Sequence, residues 1–290
     1  MIRTVAPAKI NWSLEVLGRR DDGYHEISTV LQTIELHDEL TFDAAEGFSL
    51  DVKGPYSPGP DDLVLRAGSL FAVERNVSGV DIHLDKRVPV AAGLGGGSSD
   101  AAATLRAMGE LFGASEEQLA KLAAGIGSDV TFFLRGGTAL AEGRGEIVTP
   151  LPDARESYLV LVVPAISLAG KTRAMYAALT PGDFSDGART VALVATIGRG
   201  QPLAEALLGN AFERAAYELF PGLGGFRDWM LEAGARSVHL SGAGPALFAP
   251  ASGEPEARAI RGRMNRARRG ERVYVVRTIG ASEATLVWRE

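Results

Sequence analysis

The sequence contains no cysteine, which excludes disulfide staples, cysteine-ligated zinc, iron–sulfur clusters and a thiol nucleophile together. Histidine is scarce as well: the four present, His25, His37, His83 and His239, show no metal-ligand spacing, so no zinc site is expected. No run approaches the ~18 consecutive apolar residues of a membrane span. The opening stretch, Met1-Ile2-Arg3-Thr4-Val5-Ala6-Pro7, lacks the apolar segment of a signal peptide, and the expected setting is the cytoplasm, away from membranes. Positive charge is also short. The net charge is −6, and the one basic cluster, Arg261 to Arg272, reads as a solvated helix face. A nucleic-acid surface needs a broader positive field, so no such partner is expected. An anionic substrate must have its charge met locally, by a few basic residues, helix N-termini and a metal ion.

What is present describes a globular chain. The 290 residues are 46% hydrophobic and 23% charged, enough for about two domains with their own cores. Ile2–Val16 reads as extended, with a turn at Gly18–Gly23. Ile27–Leu36 and Glu39–Phe42 read as strands joined by a polar His37-Asp38 step. Leu63–Arg75 has the apolar spacing of an amphipathic helix, and Val80–Leu84 that of a strand. A helix is expected over Ser99–Phe112. Another opens at Ser115, where Gln118 completes a capping box and Glu116 and Glu117 suit the positive helix end. Pro150-Leu151-Pro152-Asp153 marks the best boundary, giving domains at 1–150 and 151–290, both α+β. Beyond it come a strand at Tyr158–Val163, helices over Thr172–Leu179, Leu203–Leu219, Gly224–Ala233 and Pro255–Ala267, and a strand at Arg272–Arg277. A second glycine turn, Ser241-Gly242-Ala243-Gly244-Pro245, lies between Val238–Leu240 and Ala246–Ala249.

The segment Ala91-Ala92-Gly93-Leu94-Gly95-Gly96-Gly97-Ser98-Ser99-Asp100 runs straight into a helix. Glycines let the backbone approach a phosphate, and the free N–H groups at a helix start favour negative charge. A flexible turn with a serine N-cap would use the same residues. The segment lacks the Lys-Ser/Thr pair of a P-loop. A dinucleotide fingerprint would need a third glycine where Ser98 stands, so a dehydrogenase is the weaker reading.

Three separated motifs resemble the GHMP small-molecule kinases: Pro7-Ala8-Lys9-Ile10-Asn11, Gly93–Asp100 and Leu240–Pro245. Two more, Arg20-Asp21-Asp22-Gly23-Tyr24-His25-Glu26 and Gly127-Ser128-Asp129-Val130-Thr131-Phe132-Phe133, fall in order between them and resemble a narrower group of that family. Within the family, the details resemble members that phosphorylate a cytidine-diphosphate polyol in non-mevalonate isoprenoid synthesis. Members for homoserine, mevalonate or a sugar are the alternative, and a non-catalytic nucleotide-binding protein on the same scaffold is a more distant one. The resemblance implies an α+β fold of two domains: an N-terminal one carrying the ATP loop, a C-terminal ferredoxin-like one, and the active site in the cleft between. It also implies ATP as donor, Mg²⁺, and a monomer or weak homodimer.

The resemblance also carries residue roles. Asp129 is the implied general base and Lys9 its neighbour; by sequence alone Asp129 equally suits an N-cap, and Lys9 a solvent-facing strand position. Ala92, Gly93, Leu94, Gly95, Gly96, Gly97, Ser98 and Ser99, with Asp62 and Lys86, are the implied ATP contacts, and Ser98 or Ser99 a metal contact. Asn11, Tyr24, His25, Thr172, Tyr176, Gly242 and Gly244 are the implied substrate contacts. Tyr24 and His25 would read the cytosine by stacking and hydrogen bonding, with Tyr176 as second aromatic wall or a helix core residue. There are departures from the family pattern. Asp62 stands where an adenine-reading Asn is usual, and a carboxylate cannot donate as an amide does. Thr131 replaces a usual proline and Ala243 a usual serine.

Overall fold

The computed structural model describes residues 1–267 and 272–289. Two long strands, β1 (Ile2–Arg19) and β2 (His25–Ala44), form an antiparallel hairpin around which the larger sheet is built. Nearly every residue of β1 from Thr4 to Val16 is buried, because apolar layers cover both of its faces. Strands β3 (Phe48–Lys53) and β4 (Val80–Asp85) extend the sheet beyond β2, and β5 (Thr138–Gly143) and β6 (Ile147–Pro150) branch from β2 along its other half. Two strands from the second half of the chain, β8 (Gly209–Asn210) and β12 (Val287–Arg289), return to pair with β1.

The polar step at His37-Asp38 does not interrupt β2. Asp38 is fully buried, and its carboxylate accepts from the Lys86 ammonium at 2.6 Å and the Val88 N–H at 2.7 Å. A register shift between Pro7 and Lys9 absorbs the proline, which has no N–H for the ladder.

Helices α1 (Leu63–Arg75), α2 (Gly96–Phe112), α3 (Glu116–Ile126) and α4 (Ser128–Phe133) cover one face of this sheet, around a core that includes Phe42, Phe71, Leu105, Met108 and Phe132. The Ser115–Gln118 capping box of α3 forms as expected. Helix α2 begins at Gly96, three residues before the sequence reading placed it, because Gly95 takes the left-handed N-cap conformation.

The smaller sheet contains β7 (Tyr158–Val163), β9 (His239–Leu240), β10 (Leu247–Ala251) and β11 (Arg272–Arg277), all antiparallel, in the order β11-β7-β10-β9. Counted along the chain that is fourth, first, third, second, the ferredoxin-like arrangement. Around it lie α5 (Lys171–Ala177), α6 (Ala188–Gly198), α7 (Glu213–Leu219), α8 (Leu223–Glu232) and α9 (Glu254–Ala267), and α10 (Ala281–Ala284) precedes β12. The single helix read over Leu203–Leu219 is instead a 3₁₀ turn at Glu205–Leu207, then β8, then α7. Asn210 breaks it: its amide donates to Leu240 O at 3.0 Å and Gly242 O at 2.8 Å, and its carbonyl caps the Phe212 N–H at 2.9 Å. Arg261 is exposed on α9, whereas the basic-cluster side chains from 265 to 271 lie outside the described residues.

Candidate active site

A cleft of ≈ 1680 Å³ is lined by residues of β1 and β2 and by the starts of α1, α2, α4 and α5, and the glycine loop forms one wall. Gly93 (φ +87°) and Gly95 (φ +73°) both adopt left-handed conformations, and space forbids a side chain at either. A Cβ on Gly95 would lie 2.7 Å from the Phe133 ring, and one on Gly93 would lie 2.2 Å from Ser241 O. With Gly95 as N-cap there is no side-chain cap, so the first N–H groups of the 17-residue α2 face the cleft unpaired by side chains, an arrangement suited to an anion.

Lys9 arrives from β1, whose N–H at this residue donates to Leu94 O at 2.9 Å and so ties the strand to the loop. The residue is 5% exposed, and its ammonium donates to Asn11 Oδ1 at 2.7 Å, while Asn11 donates onward to Thr29 at 2.8 Å. Burial pushes the Lys9 ammonium below its usual range, and the nearby charge of Asp129 partly restores it. Asp129 sits in the first turn of α4. Gly127 is the N-cap there and no side chain caps the helix, so the Asp129 carboxylate is not consumed by capping. It lines the cleft with Lys9.

The second glycine turn closes the floor. A Cβ on Gly242 would meet the Lys9 ammonium at 3.0 Å and Gly93 O at 3.1 Å, and the Ser241 hydroxyl donates to Gly93 O at 3.0 Å. The two glycine-rich segments, distant in sequence, are thus packed backbone to backbone around Lys9. Gly244 lies behind this contact, against Leu240, and does not line the cleft.

At the other end an aromatic group gathers. The His25 ring stacks on Tyr176 with centroids 4.9 Å apart, Phe184 meets His25 edge-on at 6.0 Å, and Phe212 meets Tyr176 edge-on at 4.9 Å. Tyr24 is 57% exposed at the rim, with the Arg144 guanidinium 4.7 Å from its ring centre. Burial, then the positive charge of Arg19, lowers the His25 pKa and favours the neutral imidazole. Burial and then Asp129 push the Tyr176 hydroxyl up to about 12. Thr172, in the first turn of α5, completes this wall.

On the loop's far side, Ala92, Leu94, Gly96, Gly97 and Ser98 line the cleft. Ser99 does not: it is fully buried, and its hydroxyl has no partner among the described residues. The Lys86 ammonium sits beneath Gly96, held by Asp38 at 2.6 Å and Asp100 at 2.5 Å. Burial alone would lower its pKa, but the two carboxylates raise it. Asp100 itself is pushed well up by burial beside Asp38. Asp62 caps α1, accepting from the Val64 N–H at 2.8 Å, and its other oxygen takes the Tyr56 hydroxyl. Its oxygens are occupied and it has no donor to offer a purine.

The cleft therefore brings together the residues marked in the sequence, apart from Ser99 and Gly244. Sequence reasoning missed Tyr56, Arg144, Lys171, Phe184 and Phe212, which also line it. Lys171 directly precedes Thr172 and could have been flagged by that adjacency. The two phenylalanines carry no local signal separating a cleft wall from a core.

Residues 62–137 match the family described as GHMP kinases N terminal domain, and residues 191–269 match GHMP kinases C terminal. A 4-diphosphocytidyl-2-C-methyl-D-erythritol kinase of Dehalococcoides mccartyi is 42% identical over 285 residues, spanning 97% of this chain and 99% of that protein. One of Pelotomaculum thermopropionicum is also 42% identical, over 96% of this chain and 98% of its own. A crystal structure of a 4-(cytidine 5'-diphospho)-2C-methyl-D-erythritol kinase superposes with a TM-score of 0.82 at 36% identity, covering 96% of this chain and 99% of the other. Homoserine kinase from Cytophaga hutchinsonii shares the fold, with a TM-score of 0.72 at 19% identity over 99% of this chain and 97% of that one.

Proposed function

The chain belongs to the GHMP kinase family, and on that premise we propose that it transfers the γ-phosphoryl group of ATP to the 2-hydroxyl of 4-diphosphocytidyl-2-C-methyl-D-erythritol, a step of non-mevalonate isoprenoid precursor synthesis. The observation that carries this reading is one cleft holding two different recognition surfaces. An anion-binding helix start and Lys9 with Asp129 lie at one end, and the His25–Tyr176 aromatic group lies at the other. A nucleoside diphosphate joined to a polyol has a base for the second surface and a hydroxyl to present to the first.

In this reading Asp129 takes the proton of the acceptor hydroxyl as its oxygen bonds to the γ-phosphorus. The bond from that phosphorus to the β–γ bridging oxygen breaks, and ADP leaves with the electron pair. Lys9, held to Asn11, sets a positive charge beside the Asp129 carboxylate and steadies the attacking oxygen. The N–H groups of the loop and α2 hold the donor phosphates, which matters because phosphoryl transfer depends mainly on position and charge stabilisation. His25 offers a neutral ring to hydrogen-bond the cytosine edge, and opening of its stack on Tyr176 would admit the base between aromatic faces.

Among the described residues no group of three or more His, Cys, Asp or Glu could hold a metal. Mg²⁺ fits the cleft in another way, since it binds chiefly through nucleotide phosphates with one or two protein oxygens. Ser98, on the cleft wall beside the loop, is the residue that would hold it; Ser99 is turned into the core. When bound, the ion would neutralise phosphate charge.

The test is ADP release from Mg-ATP with a panel of hydroxyl acceptors: the cytidine-diphosphate polyol, homoserine, mevalonate and a sugar. Turnover with the cytidine-diphosphate polyol alone is expected. Equal or better turnover with another acceptor would overturn the substrate assignment.

A further inference from the structure

Lys171 is the first residue of α5, and left-handed Gly170 before it turns its side chain into the cleft. The ammonium donates to Ala91 O at 2.6 Å and to Gly244 O at 2.5 Å. These carbonyls belong to the entry of the glycine loop and to the second glycine turn, the two segments that meet around Lys9. An ammonium has three N–H donors and no acceptor, so one donor remains unassigned. Both lysines are held by neutral partners, Lys171 by main-chain carbonyls and Lys9 by the Asn11 amide oxygen. Burial, and then the charge of Lys9, lowers the Lys171 pKa to about 8. Two like charges lining one cleft disfavour each other, and a polyanion that enters relieves that cost.

We propose that Lys171 is a second catalytic ammonium of the phosphoryl transfer, its third N–H directed at the phosphoryl group in flight while the other two hold the glycine turns together. The inference rests on the kinase reading above and adds no new bond change to it. Charge positioned where the transition state develops it is the largest lever such an enzyme has, and Lys9 alone addresses one flank of the site.

The experiment compares Lys171→Met and Lys171→Arg with the wild type, after thermal unfolding has confirmed that each is folded. Lys171→Met is expected to lower kcat on the order of 10²-fold with both KM values little changed, and Lys171→Arg to recover part of it. An unchanged kcat, or a loss confined to the acceptor KM, overturns the proposal. A second measurement needs no acceptor: binding of ADP with magnesium and aluminium fluoride, a mimic of the phosphoryl in flight. Lys171→Met should weaken it at least ~10-fold while binding of ADP alone holds. Equal weakening of both overturns the proposal. If the wild type fails to phosphorylate the cytidine-diphosphate polyol, the substrate assignment falls and the fluoride complex still decides the role of Lys171. Should Lys171→Met not fold, Lys171→Gln, which can still donate to the two carbonyls, is measured in the same way.

Discussion

Replacing the Asp129 carboxylate by an amide keeps the shape of the α4 turn and removes its capacity to take a proton. Asp129→Asn should lower turnover by ~10²–10⁴, the usual worth of a positioned base, with thermal stability unchanged because the side chain caps nothing. Steady-state kinetics beside a melting curve checks this, and near-normal turnover would remove Asp129 from the mechanism. His25→Ala loses both the stack on Tyr176 and the edge contact with Phe184. It should raise KM for the cytidine substrate more than for ATP; equal effects on the two would sink the base-reading role. The alkaline limb of kcat/KM, which reports the free enzyme, belongs to the two lysines. A lowered pKa means the charge is present below it and lost above it, so activity should decline as pH rises through about 8, where Lys171 gives up its proton. In Lys171→Arg that limb should move upward, leaving a limb set by Lys9, whose charge burial disfavours and Asp129 supports. A limb that stays in place would show that Lys171 does not set it.

At the scale of elements, the glycine loop and the second glycine turn act as one unit. Gly93→Ala would set a methyl 2.2 Å from Ser241 O in a left-handed backbone, forcing the two segments apart. ATP affinity should fall by at least ~10-fold while the fold survives, since the cost of such local strain is about 1–3 kcal/mol. Calorimetric titration with a non-hydrolysable ATP analogue tests it. The same elements mark the limits of sequence reading. The capping box at Ser115, the helix Leu63–Arg75 and the loop itself were legible because their determinants lie within a few residues of each other. The break of Leu203–Leu219 was not, because Asn210 takes its partners from Leu240 and Gly242. Helix α6 escaped notice beside its glycine-rich surroundings. Asp38 reads in sequence as part of a polar step between two strands because the Lys86–Val88 donors that satisfy it come from a distant segment. In the cleft, Lys9, Asp129 and His25 were marked by motifs, whereas Lys171 has partners in two remote loops and no motif of its own.

For the whole molecule the decisive element is β1. Ile2 and Ala6 pack in the core beneath α1–α4, Ala8, Ile10 and Trp12 in a central layer with Leu159, Leu161 and Phe248, and Leu14 and Val16 with the core around α8. One strand thus belongs to all three hydrophobic clusters of the described residues and also carries Lys9 and Asn11. The two halves should therefore unfold together: calorimetry is expected to show one transition, with calorimetric and van't Hoff enthalpies equal. Two resolved transitions would contradict this. Residues 1–150 made alone should not fold stably, since they would lack β8, β12 and the apolar cover from the smaller sheet.

In that larger sheet Ile2 is paired directly with Arg289, so β1 and β12 lie side by side. The backbone from Ile2 to Arg289 is therefore nearly a closed ring, and a short linker from Arg289 to Ile2 would complete it without disturbing the cleft. Circularisation of this kind restricts the unfolded ensemble and leaves the folded contacts as they are. The molecule is suited to being reopened elsewhere, at a surface turn away from the cleft such as Arg199-Gly200-Gln201, with its order of strands in space unchanged.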